Sequence, residues 1–205
     1  YKPTEGKVIL NGMDTAKVNP QSLFNGVSGV FQCFQRYQMT LKENIRISDC
    51  DKSNEINTVL EQVGVNIKGS SFPKGIDTML SREFGGVELS GGEWQRIAIA
   101  RGLYRNSNVI VLDEPTASID PIEESNIYRK FMEISKGKTA IIVTHRIGLT
   151  QIADRVVVMD KGKIVDIGSH DELMRKEGLY AEMFVAQAEW YQKEKETNTS
   201  SIIQL

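Results

Sequence analysis

The chain has 205 residues, of which 40% are hydrophobic and 25% are charged, a composition typical of a globular domain. Its formal net charge of −2, without any block of basic residues, argues against nucleic acid as a partner. The two cysteines, Cys33 and Cys50, argue against a disulfide scaffold. No apolar run approaches the roughly 20 residues that a membrane span needs, so membrane association has to come through other segments or chains.

The first third of the chain contains two short strand candidates and one helix candidate. The run "KVILNG" (Lys7–Gly12) is apolar and ends in an Asn-Gly turn signal, and "GVSGVFQ" (Gly26–Gln32) is a second short apolar run. Apolar residues then recur at helical spacing, which predicts a helix over Ser53–Val63.

Two continuous aliphatic runs follow, "NVIVLDEP" (Asn108–Pro115) and "TAIIVTH" (Thr139–His145). Strands of this kind are expected where helices cover both faces of a parallel sheet. Between them, Asp120 and Pro121 are typical of a helix start, as N-cap and first helical residue. We therefore predict an α/β fold with a mostly helical insertion between about residues 45 and 105.

The last part of the chain reads as a hairpin followed by two helices. The run "RVVVMDKGKIVDIG" predicts two strands joined by a turn at Asp160–Lys163. Ser169 and Glu172 form a predicted capping box around His170, to which we assign no catalytic role. A final amphipathic helix is predicted from four apolar residues at helical spacing, and residues 192–205 are expected to form a flexible tail. The four are Leu179, Met183, Ala186 and Trp190.

A glycine pair precedes a helical pattern in "LSGGEWQRIAIAR" (Leu89–Arg101). A helix N-terminus of this kind favours an anion, because free N–H groups and the helix dipole converge there. No lysine follows Gly92, however, so the segment alone would be a poor nucleotide site. The alternative is a capped helix with Ser90 as N-cap and Glu93 completing a capping box. Both interpretations are compatible, because a capped helix still presents N–H groups.

Two adjacent carboxylates, Asp113 and Glu114, end the first aliphatic run. In open α/β sheets, ligands bind beyond the carboxyl ends of the strands. Asp113 could hold Mg²⁺, which prefers one or two carboxylates together with phosphate and water oxygens. Glu114 could then accept a proton from an attacking water. The alternative is that Asp-Glu-Pro simply begins a loop.

Five motifs in order resemble those of ABC-type ATPases. The runs "LSGGE", "VIVLDEP" and "ASID" are similar to the signature, Walker B and D-loop motifs, "VTH" to the switch-histidine motif, and Gln32 to the Q-loop glutamine. The resemblance covers nearly the whole chain. It implies a P-loop NTPase-like fold, in which a mostly parallel sheet is flanked by helices and an inserted helical subdomain (residues 45–105) carries the signature motif, all within one domain.

The resemblance also implies a partner. Domains of this family form head-to-tail dimers around two ATP molecules. Ser90, Gly91 and Gly92, with Glu93 beside them, would then contact the γ-phosphate of the ATP bound by the opposite protomer. Asp120 would contribute a dimer contact in addition to its role as N-cap.

The catalytic residues that the resemblance implies come from three strand ends. Glu114 is the expected general base and Asp113 the expected Mg²⁺ ligand. Gln32 would touch Mg²⁺ or the attacking water, and His145 would bind the γ-phosphate. From the residues alone, Gln32 could be an ordinary polar residue at a strand end and His145 a structural one.

One departure from the family is clear, since no G-x-x-x-x-G-K-[ST] phosphate loop occurs in the 205 residues. Relatives carry it just upstream of a segment like "YKPTEG", so we expect the chain to be truncated and inactive towards ATP by itself. One alternative is a non-catalytic interaction module whose loop is truly absent. Another is a soluble ABC ATPase that acts on ribosomes or DNA.

The run "SREFGGVELSGGEWQR" resembles the segment before the signature in exporter-type domains. This implies a transmembrane domain as a further partner and a place at the cytoplasmic face of the cell membrane. Cys33, Phe34 and Tyr37 would lie near the membrane-domain contact, although an aromatic loop could equally reflect local packing. The sequence does not identify the transported substrate.

Overall fold

A computed structural model describes residues 3–52, 55–114 and 121–189 of the chain. The chain divides into two compact units, with the boundary between Val143 and Thr144. Each unit is built around its own strands and helices.

The first unit begins with a small antiparallel hairpin and a short helix. Its strands β1 and β2 are joined by the Asn-Gly turn that the sequence predicts. The helix α1 is capped by Asn19, whose side chain accepts a hydrogen bond from the Gln21 N–H. The elements are β1 (Ile9–Leu10), β2 (Met13–Asp14) and α1 (Pro20–Phe24).

A three-stranded parallel sheet forms the centre of the first unit. Its strands, in spatial order, are β3 (Val27–Val30), β4 (Val109–Asp113) and β5 (Thr139–Val143). The predicted parallel sheet is therefore confirmed.

The strand predicted over Gly26–Gln32 is shorter than expected, because β3 pairs with β4 only as far as Val30. Phe31 and Gln32 follow in an exposed loop. Once the ladder ends, neither side chain has a covered sheet face to occupy.

The sequence predicts that β5 is buried on both faces, but one of its faces is exposed. Ile141 and Val143 are 47% and 50% exposed, and exposure alternates along the strand. The reason is its position, because within the described residues β5 pairs only with β4. Alternation of this kind is typical of a strand that is covered on one face.

Helices fill the segment between β3 and β4. They are α2 (Leu41–Arg46), α3 (Ile56–Gln62) and α4 (Gly91–Tyr104). The helix α4 packs against α2, α3 and β3. The helix predicted over Ser53–Val63 begins at Ile56, whereas Ser53 and Asn54 lie outside the described residues. The bounds of the helical subdomain, 45–105, stay a prediction.

The core of this unit lies along α4 and β4. Ile97 and Tyr104 of α4 and Ile110 of β4 are fully buried. The helix α5 (Pro121–Ile134) adds Tyr128 and Phe131 to the buried residues. Asp120, the predicted N-cap of α5, lies outside the described residues.

The second unit contains an antiparallel hairpin between β6 (Val156–Asp160) and β7 (Lys163–Gly168), which confirms the predicted turn. Ahead of the hairpin lies a 3₁₀ turn, Ile147–Ile152. The helix α6 (His170–Arg175) follows it, and its predicted capping box between Ser169 and Glu172 is confirmed. Residues 179–189, at the end of the described part of the chain, form a helix, α7.

The helix α7 is present as predicted, but a different face is buried. Leu179 and Met183 are exposed, while Tyr180 is buried and Phe184 packs against the buried cluster of Ile147, Val158, Leu173 and Tyr180. Two apolar stripes lie side by side on this helix, and the aromatic one fills the core. Trp190 and the predicted tail lie outside the described residues.

In the described ranges, no helix has both the length and the apolarity to cross a bilayer.

Candidate functional site

The signature residues lie at the start of α4, where Ser90 and Glu93 cap the helix reciprocally. The Glu93 N–H donates to Ser90 Oγ at 3.3 Å, and the backbone N–H and hydroxyl of Ser90 donate to Glu93 Oε2 at 2.8 and 2.9 Å. The predicted capping box is therefore confirmed. It uses the N–H of the third helical residue, so the N–H groups of Gly91 and Gly92 belong to the set that a helix start leaves without intrahelical partners.

The surroundings of the Glu93 carboxyl group lower its pKa. Burial alone raises its pKa, but hydrogen bonds from Ser71 and Ser90 and the positive charge of Arg96 outweigh burial and leave the pKa below its usual range. Glu93 is therefore ionised at neutral pH and holds Ser90 in a fixed position. Ser90 itself is exposed, so its side of the helix start is accessible to a ligand.

The carboxylate pair lies at the carboxyl end of the sheet. Asp113 is the last residue of β4 and is in register with Val143, the last residue of β5. The next residue, Glu114, has a left-handed backbone with φ 45°, and its N–H donates to the Val143 carbonyl at 3.1 Å. A non-glycine residue in this conformation costs on the order of 1–3 kcal/mol, and such residues cluster at functional sites. Both side chains are half-buried.

The residues expected to hold Mg²⁺ are compatible with that ion. Gln32 follows β3 by two residues, so it lies at the same sheet edge as Asp113 at the end of β4. Amide and carboxylate oxygens are suitable ligands for Mg²⁺. No group of three or more His, Cys, Asp or Glu side chains forms a metal site among the described residues. Mg²⁺ does not need one, because it takes its remaining ligands from phosphate and water.

The sequence interpretation missed Arg101, which connects α4 to the loop after β3. Its guanidinium donates to the carbonyl oxygens of Asn44 at 2.9 Å and Gln35 at 3.2 Å, and to Asn44 Oδ1 at 3.0 Å. It also lies over the Tyr37 ring, 4.7 Å from the centroid. Its position on the buried face of α4, four residues after Ile97, was the available signal.

The signature residues lie far from this loop within one chain. Arg101 contacts Gln35, and Ser90 lies eleven positions earlier on the same helix. At a rise of 1.5 Å per residue, that separation is about 16 Å along α4. The signature residues therefore lie at the N-terminal end of α4, whereas the loop that follows Gln32 contacts the helix near its C-terminal end.

His145 belongs to the second unit and is exposed. Its backbone carbonyl accepts a hydrogen bond at 3.1 Å from the side-chain amide of Gln187 on α7. The same amide accepts the Ile147 N–H at 2.6 Å. Gln187 did not stand out in the sequence, although it follows Tyr180 and Phe184 at helical spacing.

Comparison with known proteins identifies the family of the chain. Residues 1–117, more than half of the chain, match the family described as ABC transporter. The chain therefore belongs to the ABC transporter family. A solved structure described as a bacterial Atm1-family ABC exporter with ATP bound is similar over 92% of this chain and 33% of that chain, with 32% identity and a TM-score of 0.82.

Particular relatives are transport proteins. The subtilin transport ATP-binding protein SpaT of Bacillus subtilis is 40% identical over 89% of this chain and 30% of that protein. The nisin transport ATP-binding protein NisT of Lactococcus lactis subsp. lactis is 32% identical over 91% of this chain and 32% of that protein. An ATP-dependent lipid A-core flippase of Burkholderia orbicola is 31% identical over 89% and 30% respectively.

These matches confirm the resemblance to the ATP-binding domain of exporter-type ABC proteins, together with the predicted P-loop NTPase-like fold. The chain spans about a third of the length of each of the four proteins just named. The roles assigned to Ser90, Gly91, Gly92, Glu93, Asp113, Glu114, Asp120, Gln32 and His145 stay predictions.

Proposed function

We propose that the chain is the main part of an ATP-hydrolysing domain that powers export across a membrane. The observation that carries this proposal is the arrangement at the carboxyl end of the sheet. The pair Asp113 and Glu114 ends β4, and the strained Glu114 backbone is bonded to the end of β5. Gln32 follows β3 at the same edge.

In the proposed reaction, Glu114 accepts the proton of the attacking water, and Gln32 orients that water or contacts Mg²⁺. Asp113 would hold Mg²⁺, which would neutralise charge on the phosphates. His145 donates a hydrogen bond to the γ-phosphate. A positioned general base contributes typically about 10²–10⁴-fold to a rate.

The proposed assembly is a head-to-tail dimer in which Ser90, Gly91 and Gly92 contact the ATP of the partner protomer. Two features support this assignment. The helix start at Ser90 suits an anion, and it lies about 16 Å along α4 from the contact with the loop after Gln32. We further propose that the domain works at the cytoplasmic face of a membrane, against the transmembrane part of the transporter. The relatives are named for three different cargoes, which are subtilin, nisin and lipid A core.

The test uses the full polypeptide that carries this chain together with a phosphate loop. Glu114→Gln is expected to keep Mg-ATP binding and to lower steady-state hydrolysis by roughly 10²–10⁴-fold. Glu133→Gln, at an exposed position of α5, is the matched control and should leave turnover unchanged. Unchanged hydrolysis in Glu114→Gln would remove Glu114 from its role. Hydrolysis that does not respond to transport substrate or membrane would favour a soluble ATPase instead.

A further inference from the structure

The Gln187 side chain on α7 bonds the backbone of the segment that contains His145 at two points. The Gln187 amide donates to the His145 carbonyl at 3.1 Å and accepts the Ile147 N–H at 2.6 Å. We propose that Gln187 is a positioning residue for ATP hydrolysis, which fixes the backbone on both sides of Arg146 and thereby the direction of the His145 side chain. This inference rests on the proposed function, in which His145 contacts the γ-phosphate.

Locally, the Arg146 N–H donates to Thr144 Oγ1 at 3.0 Å, but this bond does not use the Ile147 N–H. Ile147 begins the 3₁₀ turn Ile147–Ile152, and the preceding residue, Arg146, makes no side-chain capping bond. Free N–H groups at a helix start need a partner from elsewhere. Gln187 supplies that partner from 40 positions further along the chain.

The packing of α7 determines where Gln187 lies. Tyr180, Phe184 and Gln187 are spaced i, i+4 and i+7, so they share one face of the helix. Tyr180 is buried in a cluster with Ile147, and Phe184 packs against this cluster. The aromatic residues therefore bring the amide to the start of the 3₁₀ turn.

A second contact holds the same turn near its other end. The Tyr180 hydroxyl is hydrogen-bonded to Thr150 Oγ1 and, at 2.7 Å, to His170 Nδ1. The helix α7 thus holds the turn at Ile147 and at Thr150. With this second contact in place, loss of Gln187 should loosen the His145 side of the segment, where the local bond from the Arg146 N–H to Thr144 Oγ1 remains, and leave the rest of the turn attached.

The chemistry of the contact requires an amide. A glutamine side chain both donates and accepts, whereas an ionised glutamate only accepts and a methionine does neither well. Gln187→Glu keeps the shape and the bond to the Ile147 N–H, but it places a negative oxygen against the His145 carbonyl. Gln187→Met keeps the length of the side chain and removes both bonds.

The experiment measures Mg-ATP hydrolysis in the full polypeptide. Gln187→Met and Gln187→Glu are each expected to lower kcat by about 10- to 100-fold, since a misplaced catalytic group can cost that much. The KM for ATP should stay within about twofold, because the lesion lies in the positioning of His145 during reaction. Glu182→Met, at an exposed position of the same helix, is the control and should leave kcat unchanged.

A double-mutant comparison separates positioning from general stability. If Gln187 acts through His145, adding Gln187→Met to His145→Ala should lower kcat no further than His145→Ala alone. The positioning role would be overturned if Gln187→Met lowered kcat by the same factor in the His145→Ala background as in the native background. It would also be overturned if both Gln187 variants kept native kcat. If His145→Ala itself keeps native kcat, the proposed function of His145 fails, which is a different result. Gln187→Glu keeps the test decisive should Gln187→Met fold poorly.

Discussion

The carboxylate of Glu93 accepts two hydrogen bonds from Ser90, one from the backbone N–H at 2.8 Å and one from the hydroxyl at 2.9 Å. Together with Ser71 and Arg96, these bonds outweigh burial and lower the pKa of Glu93. A group whose folded pKa is lowered stabilises the protein above its unfolded pKa, which is about 4.3 for glutamate. That contribution is lost as the pH falls from there through the folded pKa.

Ser90→Ala should therefore raise the pKa of Glu93 towards the ordinary value. Side-chain ¹³C NMR titration of Glu93 measures this shift directly. Ser169→Ala is the matched control, since Ser169 caps α6 and its bonds lower the pKa of Glu172 in the same way. The control should raise the pKa of Glu172 and leave the pKa of Glu93 unchanged. A Glu93 pKa that is unchanged in Ser90→Ala would contradict the capping account.

Gly86 lies against the backbone of Met79, so that a Cβ at Gly86 would stand 2.0 Å from the Met79 carbonyl oxygen. The same oxygen accepts the Val87 N–H at 2.9 Å, so it cannot move without breaking that bond. Gly86→Ala should therefore lower the free energy of unfolding by at least about 2 kcal/mol, as measured by equilibrium denaturation in urea.

The neighbouring glycine provides a control for that prediction. Gly85 has φ 70°, and nothing lies within 4 Å of a Cβ placed there. Asparagine tolerates this left-handed conformation, so Gly85→Asn should cost less than about 1 kcal/mol. Equal losses in the two variants would show that general loop rigidity, rather than the close approach to Met79, sets the cost.

Arg101→Lys should destabilise the protein although the charge is kept. The guanidinium bonds two carbonyl oxygens and Asn44 Oδ1 and stacks on Tyr37. A lysine ammonium lacks the planar fork that makes these contacts together. Unfolding in urea should report a loss of about 1–3 kcal/mol. Arg129→Lys, at an exposed position of α5, should change the free energy of unfolding by less than about 0.5 kcal/mol.

Local patterns predicted the features that depend on nearby residues. The S-x-x-E spacing predicted the capping boxes at Ser90 and at Ser169, because each bond spans only three residues. The Asn-Gly turn and the turn at Asp160–Lys163 were predictable for the same reason. The aliphatic runs predicted β4 and β5 and their parallel arrangement, since such runs are typical of buried parallel strands.

Contacts between distant residues could not be predicted in this way. Arg101 bonds Gln35 and Asn44, which are 66 and 57 positions away. The buried face of α7 is another example. Leu179 and Tyr180 each begin an apolar stripe, and only packing against the second unit's core selects the stripe of Tyr180.

In the proposed dimer, Gly91 faces the phosphate of the ATP bound by the partner protomer. Gly91→Asp places a carboxylate at a helix start, where it suits the helix itself but repels a γ-phosphate. In the full polypeptide, the affinity of the monomer for Mg-ATP, measured by calorimetry, should therefore stay nearly unchanged. The rate of ATP hydrolysis should fall sharply.

The most direct test is a mixed dimer of one protomer with Gly91→Asp and one whose phosphate-loop lysine is changed to alanine. Each ATP site combines the phosphate loop of one protomer with the signature of the other, so both lesions fall in one site and the second stays intact. ATP-dependent association, measured by analytical ultracentrifugation, should then exceed that of the Gly91→Asp homodimer, which has no intact site. Equal loss of association in the two dimers, or a fall in monomer affinity that matches the loss of hydrolysis, would contradict the account.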